Sequence, residues 1–554
     1  MAGGPGGSGE RRRQGQRSGG SKQGSGGSGQ RSGGSGQPSG GSRQGSGGSG
    51  QRGGARRPGK PVRDEARNAA YDLLRAVDER DAYANLLMPR LLRERGLGGR
   101  DAALATELAY GTLRGLGSYD KIIATCVDRD PDPEVLDALR LGAHQLLRMR
   151  VPPHAAVGTT VDLVRLRIGQ GAAKFVNAVL RKIAARTIDE WLPIVAPSKE
   201  ADLLGHLAVT YSHPRWVVAA FRDALGDDAR LPELLEADNA RPTVTLVARP
   251  GRSDVAELEE SGAEPGRYSP YAAYLPEGDP GRIAAVAAYR AAVQDEASQL
   301  VALALARVPL EGSDRLWLDM CAGPGGKAGL LDAIAAYGDE AGMEREKKAR
   351  EENGRRGASE AGSEAGSGGG TSGGSGGIQA VQAVQAFPGG AHLVAADSQH
   401  HRARLVWETT REAAVITADG TEPSWRPGVF DRVMLDAPCT GLGALRRRPE
   451  ARWRRDARSV PDLTKLQRAL LDSAVASLRP GGVLAYVTCS PHLAETQVVV
   501  SDGLKRHPEL EQLDARAYLP EVGDLGPGPH AQFWPHRHGT DAMFLAILRK
   551  TSKR

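Results

Sequence analysis

Two segments of the chain place a cysteine directly after an apolar run. The first reads FDRVMLDAPC and ends at Cys439, with Asp436 three positions earlier, and the second reads VLAYVTC and ends at Cys489. A lone cysteine is usually a small buried hydrophobe. Thiolate is also a soft nucleophile, and a nearby cation or helix N-terminus lowers the pKa of the thiol. Two cysteines at neighbouring strand tips beside an aspartate therefore predict nucleophilic chemistry.

A third segment, residues 316–327 (LWLDMCAGPGGK), has the form strand, tight loop and helix. In such a unit the backbone N–H groups at the helix start face a ligand above the strand end. Gly323, Gly325 and Gly326 let the backbone approach that ligand closely. The loop lacks the GxxxxGK[ST] phosphate cradle and departs from GxGxxG, so an NTPase or dinucleotide site is disfavoured.

Aspartates stand at the ends of four predicted strands: Asp319, Asp397, Asp419 and Asp436. Any one of them could simply cap a helix. Four at equivalent positions instead predict a ligand site, because ligands of open parallel sheets bind beyond the carboxyl ends of the strands. A carboxylate after the second strand usually holds a ribose diol, which points to an adenosine-containing cofactor.

The elements that must position these residues alternate between apolar runs and helical stretches. The predicted strands cover residues 393–396, 415–418, 430–435 and 483–488, with a final strand at 543–548 that closes the sheet. This alternation predicts an α/β catalytic domain over residues 291–550, with a doubly wound, mostly parallel sheet.

The part of the chain before this domain divides in two. Residues 61–190 show apolar spacing typical of six or seven amphipathic helices with short connections, which predicts an all-α domain. Residues 198–290 mix a helical segment after YSHPRW with the strand TVTLVA, and predict a small connecting α+β subdomain.

Two stretches have too few apolar residues to form a core. Residues 1–60 repeat Gly, Ser, Gln and Arg, and we expect them to be a disordered basic tail, either a solubilising extension or an arm for phosphate backbones. The tail has eleven Lys/Arg and one acidic residue, Glu10, a net charge of +10, so the rest of the chain carries −4 of the total +6. Residues 338–390 resemble a long flexible loop insertion.

Composition limits the remaining classes. No uncharged apolar run approaches the roughly 20 residues that span a bilayer, and the N-terminus lacks the apolar region of a secretory signal. The four cysteines contain no CxxC pair, which favours a reducing compartment over a disulfide scaffold or a zinc site. We therefore expect a cytoplasmic monomer with no metal and no membrane partner.

A basic segment follows Cys439. It contains Trp453 and seven arginines: Arg446, Arg447, Arg448, Arg452, Arg454, Arg455 and Arg458. A solvated face is the simplest interpretation, but basic residues beside a reactive cleft also suggest a phosphate backbone as substrate.

Together these motifs resemble the Sun-family RNA cytosine-5 methyltransferases, in particular the bacterial RsmB-type 16S rRNA enzymes, over residues 63–549. DMCAGPGGK resembles the family's S-adenosylmethionine loop, AADSQHHR its ribose strand, DAPCTGLGALRRRPE its proline-cysteine motif and VTCS its threonine-cysteine motif. The helical part is similar to the NusB-like RNA-binding domain, with AYGTLR and FVNAVLR as its clearest segments.

The resemblance implies a role for each site residue. Cys489 would add to C6 of cytosine, Asp436 would bind the N3/amino edge of the base, Cys439 would assist product release, and Lys327 would lie near the cofactor or base. The resemblance also implies a set of residues that hold S-adenosylmethionine: Cys321, Ala322, Gly323, Pro324, Gly325, Gly326, Lys327, Asp397, Arg402, Asp419 and Asp436. The implied partner is RNA, either 16S rRNA or a small-subunit precursor.

The departures from the family pattern are small. The loop reads CAGPGGK where CAAPGGK is common, and LAETQ keeps only Glu495 of a Glu-Glu-Asn run. Two alternatives remain: a DNA cytosine-5 methyltransferase, which would use the proline-cysteine thiol as nucleophile, and a catalytically vestigial RNA-binding or ribosome-assembly factor.

Overall fold

The computed structural model describes residues 64–339, 387 and 389–551. The predicted basic tail and nearly all of the predicted insertion at 338–390 lie outside the described residues. Among the described residues, no helix combines the length and apolar character needed to cross a membrane.

Residues 64–195 form the helical domain predicted for residues 61–190, with seven helices in this fully described stretch. They are α1 (Glu65–Arg80), α2 (Ala84–Glu94), α3 (Gly99–Cys126), α4 (Pro133–Leu147), α5 (Pro153–Arg167), α6 (Gln170–Ile183) and α7 (Ile188–Val195). Local sequence sets their ends: Asp64 caps α1 by accepting from the Arg67 N–H at 3.0 Å, and Thr187 and Glu190 form a capping box at α7.

The connecting subdomain combines helices with a small antiparallel sheet, as predicted. Its main elements are α8 (Leu203–Thr210), α9 (Arg215–Leu225), α10 (Leu231–Asn239), β1 (Val244–Ala248), α11 (Val255–Glu259), β2 (Glu264–Pro265), β3 (Ala272–Leu275), α12 (Ala284–Ala287) and β4 (Ala291–Val293). The strand order is β2-β3-β1-β4. Because β4 pairs with β1, this sheet continues past the predicted boundary at residue 290.

The catalytic domain contains a mixed sheet of eight strands in the described residues. Its first half comprises α13 (Glu296–Arg307), β5 (Leu316–Asp319), α14 (Gly326–Tyr337), β6 (His392–Asp397), α15 (His400–Thr409), β7 (Ala414–Thr417) and β8 (Phe430–Asp436). Its second half comprises α16 (Ala451–Arg454), α17 (Ser459–Ser477), β9 (Leu478–Thr488), α18 (Gln497–Arg506), β10 (Leu510–Leu513), β11 (Ala531–Gln532), α19 (Pro535–His538) and β12 (Phe544–Lys550).

The strand order is β10-β12-β9-β8-β5-β6-β7, with β11 paired to β12. Strands β9, β8, β5, β6 and β7 run parallel, whereas β12 is antiparallel to both β9 and β10. The final strand was expected to close the sheet, but it lies between β9 and β10. Strand β10 was not predicted, because its LEQL segment is short and half polar.

Apolar side chains cover both faces of this sheet, as a doubly wound fold requires. Neighbouring residues alternate between two core clusters: Trp317 packs in one and Leu318 in the other, and Met434 and Val433 divide in the same way. The five parallel strands are therefore anchored on both sides, and their carboxyl ends form one shared edge.

Candidate active site

The shared edge of the sheet gathers the residues that the sequence analysis selected. Strands β5, β6 and β8 end at Asp319, Asp397 and Asp436, and Cys489 directly follows β9. The segment between β5 and α14 carries the glycine loop across this edge.

The glycine loop is fixed against strand β6. The Gly323 N–H donates to Asp397 Oδ2 at 3.1 Å, and Arg402 donates to the Gly323 carbonyl. A Cβ at position 323 would lie 2.3 Å from Asp397 Oδ2, so an alanine here would require the Asp397 and Arg402 side chains to shift. Gly325 adopts φ 110°, which also favours glycine. Asp397 and Arg402 therefore hold the loop in place.

Other members of the predicted cofactor set lie on the same loop. The Ala322 N–H donates to the Ala396 carbonyl at 2.8 Å, and Pro324 follows Gly323 at the turn. Burial and the carboxylates of Asp319 and Asp436 raise the pKa of the Cys321 thiol. Cys321 is therefore a neutral thiol that lines the site.

Asp319 is a buried carboxylate without an ordinary hydrogen bond. It is 1% exposed, and no described residue donates to either oxygen with good geometry. Burial, and then repulsion from Asp436, raise the pKa of Asp319 to about 8, although Lys327 and the Cys321 backbone N–H oppose this. A buried carboxylate in this state is suited to a cationic ligand. Asp319 was predicted to border the ligand site, as one of four strand-end aspartates, but was not included in the cofactor-binding set.

Lys327 and Asp436 form an ion pair at the centre of the edge. Lys327 Nζ lies 2.8 Å from Asp436 Oδ2. Burial alone would lower the pKa of Lys327, but Asp436 outweighs it and the pKa is raised. The lysine is therefore held as a cation beside the aspartate.

The two predicted cysteines meet at the same place. Cys439 Sγ lies 3.4 Å from Cys489 Sγ, and all four cysteines of the chain are free thiols. The hydrogen bond from Cys439 lowers the pKa of Cys489, while the same contact followed by burial raises the pKa of Cys439 well above its usual range. Lys327 and Arg448 lower the pKa of Cys489 further. Burial and Asp436 oppose this shift, and on balance Cys489 is the more acidic thiol of the pair.

A buried glutamate joins the loops that carry the cysteines. Glu495 is fully buried and accepts from the Thr440 N–H at 2.8 Å, from the Thr440 hydroxyl at 2.5 Å, and from the Ser490 hydroxyl at 2.6 Å. Gln467 Nε2 donates to it at 3.3 Å. Thr440 follows Cys439 and Ser490 follows Cys489, so Glu495 fixes the positions of both thiols. This role of Glu495 was not predicted; the residue was noted only as the one glutamate retained in LAETQ.

Asp419 is placed differently from the other strand-end aspartates. Its carboxylate is exposed and accepts from the N–H and hydroxyl of Thr421 at 2.8 and 2.7 Å, which lowers its pKa. Among the described contacts, none joins it to the glycine loop.

The arginine segment divides into structural and exposed members. Arg452 is fully buried and donates to the carbonyls of Arg114, Ser212 and Asp238 and to Asn239 Oδ1. It therefore joins the helical domain, the connecting subdomain and the catalytic domain.

Three further arginines of the segment are engaged with protein groups. Arg447 pairs with Asp541, Arg446 donates to the Gly539 carbonyl at 2.7 Å, and Arg454 donates to the Ala82 carbonyl. The guanidinium groups of these four arginines therefore bind protein groups, and the segment as a whole is not a solvated face. Arg448, Arg455 and Arg458 are exposed, and Arg458 pairs with Asp456.

These residues fit a cationic nucleoside-type cofactor. The ionised carboxyl group of Asp319, which has no hydrogen-bond partner of good geometry, would offer a counter-charge, and the glycines keep the loop backbone free of side chains at three positions. The described part of the chain holds no group of three or more His, Cys, Asp or Glu side chains arranged to bind a metal.

Known protein families match both the helical domain and the catalytic domain. Residues 376–549 match the family model described as 16S rRNA methyltransferase RsmB/F, and residues 64–185 match the NusB family model. The putative methyltransferase Rv1407 of Mycobacterium tuberculosis strain H37Rv is 48% identical over 504 residues, covering 90% of this chain and 99% of the relative.

More distant relatives also match along their whole length. The probable ribosomal RNA small subunit methyltransferase B of Bacillus subtilis strain 168 is 26% identical over 502 residues, covering 87% of this chain and 98% of the relative. The crystal structure of PH0851 has a TM-score of 0.67 at 20% identity and covers 88% of this chain and 99% of that one, which shows a shared fold.

Proposed function

Because this chain belongs to the RsmB/F family of 16S rRNA methyltransferases with an N-terminal NusB domain, we propose that it methylates C5 of a cytosine in 16S rRNA through a covalent Cys489 adduct. By family it is an rRNA methyltransferase, and its methyl donor is S-adenosylmethionine. The cytosine specificity and the covalent Cys489 adduct are what we propose beyond this family assignment.

One observation carries the proposal: two free thiols lie 3.4 Å apart, beside a carboxylate that a lysine holds in an ion pair. Cytosine C5 is a poor nucleophile until a thiolate adds to C6. A lowered pKa at Cys489 and a cation beside Asp436 are the features that such an addition needs.

The protein groups would act in a fixed order. The Cys489 thiolate forms the S–C6 bond, and the π electrons of the C5–C6 double bond shift to C5 and, by conjugation through C4, to N3, which makes C5 nucleophilic. Asp436 binds the N3/amino edge of the base, and the Lys327 cation stabilises the charge that develops there. Bound S-adenosylmethionine supplies an electrophilic methyl group. C5 would take up this methyl group, with S-adenosylhomocysteine as the leaving group. A base then removes the C5 proton, the C5–H electron pair re-forms the C5–C6 double bond, and the S–C6 bond breaks to return the Cys489 thiolate.

Cys439 is proposed to assist release of the product. Its sulfur lies 3.4 Å from Cys489 Sγ, and a hydrogen bond donated by the Cys439 thiol would stabilise the thiolate that departs when the S–C6 bond breaks. The target base must leave any stack to reach these groups.

The cofactor would be held by the glycine loop from Cys321 to Lys327, with Asp397, Arg402, Asp419 and Asp436 beside it. To this predicted set we add Asp319, whose carboxyl group has no hydrogen-bond partner of good geometry and would ionise when the cationic donor binds. A monomer without a metal is part of the same proposal.

The test is a methylation map. Bisulfite sequencing of 16S rRNA from cells that lack the gene should show the loss of one methylated cytosine, which the purified protein and S-adenosylmethionine restore in vitro. An unchanged map would point to another RNA target. Failure to bind S-adenosylmethionine in calorimetry would favour a vestigial RNA-binding factor.

A further inference from the structure

Tyr83 is an exposed aromatic residue at the junction of two domains. It lies between α1 and α2 of the helical domain, and 51% of its surface is accessible. Two guanidinium groups of the catalytic domain approach its ring, Arg454 at 4.6 Å from the ring centroid and Arg448 at 5.9 Å. The site therefore combines a half-exposed aromatic ring with two nearby positive charges.

The position of Tyr83 is fixed by contacts on both sides. The Ala84 N–H donates to Glu450 Oε1 at 3.1 Å, and Arg454 donates to the Ala82 carbonyl. The loop that carries Tyr83 is thereby attached to the arginine segment of the catalytic domain. A ring held this way loses little further freedom when a ligand stacks on it.

Trp453 adds a second aromatic surface at the same junction. It is 39% exposed, and a Cβ at Gly117 of α3 would lie 2.5 Å from its ring, so one side of the indole packs closely on that helix. We call Tyr83, Arg448, Trp453 and Arg454 the junction surface.

Arg448 differs from its engaged neighbours. Its side chain is exposed, and within the described residues no carboxylate lies at ion-pair distance from it. Its charge nevertheless lowers the pKa of Cys489, so it lies close to the reactive thiol. An unpaired cation beside the active site is suited to an anionic substrate.

We propose that the junction surface binds unpaired RNA next to the target cytosine, with a base stacked on Tyr83 and a phosphate at Arg448. Unpaired RNA bases stack on aromatic and guanidinium planes, and arginine binds the phosphates between them. This inference rests on the proposed function, because it takes RNA as the substrate. The inference adds that contacts from the helical domain and the catalytic domain together set the path of the bound RNA strand.

The test uses the full chain and four variants: Tyr83→Ala, Tyr83→Phe, Arg448→Gln and, as a matched exposed aromatic on the connecting subdomain, Tyr289→Ala. The binding probe is a fluorescein-labelled single-stranded RNA of about 12 nucleotides that contains one cytosine, measured by anisotropy at several salt concentrations. Methylation of 16S rRNA, calorimetry with S-adenosylmethionine and the melting temperature are measured in parallel.

Loss of the ring in Tyr83→Ala should weaken RNA binding about ten-fold and raise KM for RNA while kcat is retained. Tyr83→Phe keeps the ring and should bind as the wild type does. Arg448→Gln should reduce the salt dependence of log Kd by about 0.7, the value for one phosphate contact on a single strand. Tyr289→Ala, the melting temperature and cofactor affinity should not change.

Equal RNA affinity in Tyr83→Ala and wild type would overturn the inference, as would a loss in Tyr83→Phe as large as that in Tyr83→Ala. If Tyr83→Ala fails to fold, an unchanged salt dependence in Arg448→Gln would overturn it instead. The two proposals can be contradicted separately. If the wild-type protein yields no 5-methylcytosine but Tyr83→Ala still loses RNA affinity, the proposed reaction is wrong and the RNA-binding role of the junction surface stands.

Discussion

Cys439 and Cys489 are 50 positions apart in the chain, yet their sulfur atoms lie 3.4 Å apart. The parallel pairing of β8 and β9 brings them together and continues past the strand ends, where the Ala437 N–H donates to the Val487 carbonyl and the Gly443 N–H to the Cys489 carbonyl, both at 2.9 Å. The pairing of β8 with β9 therefore brings the two sulfur atoms together.

Replacing Cys439 by alanine should make Cys489 less acidic. The hydrogen bond from the Cys439 thiol is the main cause of the lowered pKa at Cys489, so its loss raises that pKa and decreases the thiolate fraction at neutral pH. The rate of Cys489 alkylation by iodoacetamide, followed by mass spectrometry against pH, should reach half its maximum at a higher pH in Cys439→Ala than in the wild type.

Cys126→Ala is the control for this shift, because Cys126 is buried in the helical domain. Its pH profile should match that of the wild type. A Cys439→Ala profile that also matches the wild type would show that the thiol contact does not tune Cys489.

Glu495→Ala should impair both stability and catalysis. It leaves the Thr440 and Ser490 donors without their buried acceptor, which should cost about 2–4 kcal/mol and lower kcat by more than about ten-fold as the two thiols separate. Chemical denaturation and methylation assays measure the two effects. S-adenosylmethionine affinity should persist, because Glu495 does not contact the glycine loop.

Glu495→Gln should recover part of both losses, since its amide oxygen can still accept. Glu511→Ala, an exposed glutamate on β10, should match the wild type in every assay. Full activity in Glu495→Ala would refute the role of this residue in positioning the cysteines.

Asp319→Asn should stabilise the free protein at high pH. The pKa of Asp319, about 8, lies above the value in an unfolded chain, so its contribution to stability is complete below about pH 4 and is lost as the pH rises through 8. Asparagine has no such loss, so the increase in melting temperature should be larger at pH 9 than at pH 5.

The same substitution should weaken S-adenosylmethionine binding, because the cationic donor favours the ionised carboxylate. In the wild type, binding at pH 7 should release a proton, which calorimetry in buffers of different ionisation enthalpy detects. Equal melting shifts at both pH values, together with unchanged affinity, would exclude this role for Asp319.

Arg452→Met should destabilise the fold by about 3–5 kcal/mol, because it removes a buried cation that serves four acceptors in three segments of the chain. Arg458→Ala, from the same basic segment but fully exposed, should leave stability unchanged. Urea denaturation compares them. Equal stability of the two variants would mean that Arg452 does not join the domains.

The sequence predicted the elements with strong periodicity and the residues at their ends. The parallel strands, the glycine loop and the cysteine pair follow from apolar runs that end in Asp or Cys, because the carboxyl ends of parallel strands share one edge. The insertion of β12 between β9 and β10 could not be predicted, since strand order depends on pairing between distant segments.

The roles of individual polar residues could not be predicted from the sequence either. Arg452 and Arg448 are four positions apart in one basic run, yet one is buried as a structural link and the other is exposed beside the active site. Likewise, nothing in the LAETQ segment predicts that Glu495 accepts from both cysteine loops. Such roles depend on what the fold places around each side chain.

The most direct test of the account is covalent trapping of RNA. Cys439→Ala and Cys489→Ala proteins are each incubated with 16S rRNA and S-adenosylmethionine and separated on denaturing gels. The proposed mechanism predicts a stable protein–RNA adduct with Cys439→Ala, because release is blocked after Cys489 has added to the base. It predicts no adduct with Cys489→Ala. An adduct that persists in Cys489→Ala and is absent from Cys439→Ala would reverse the roles of the two thiols and contradict the account.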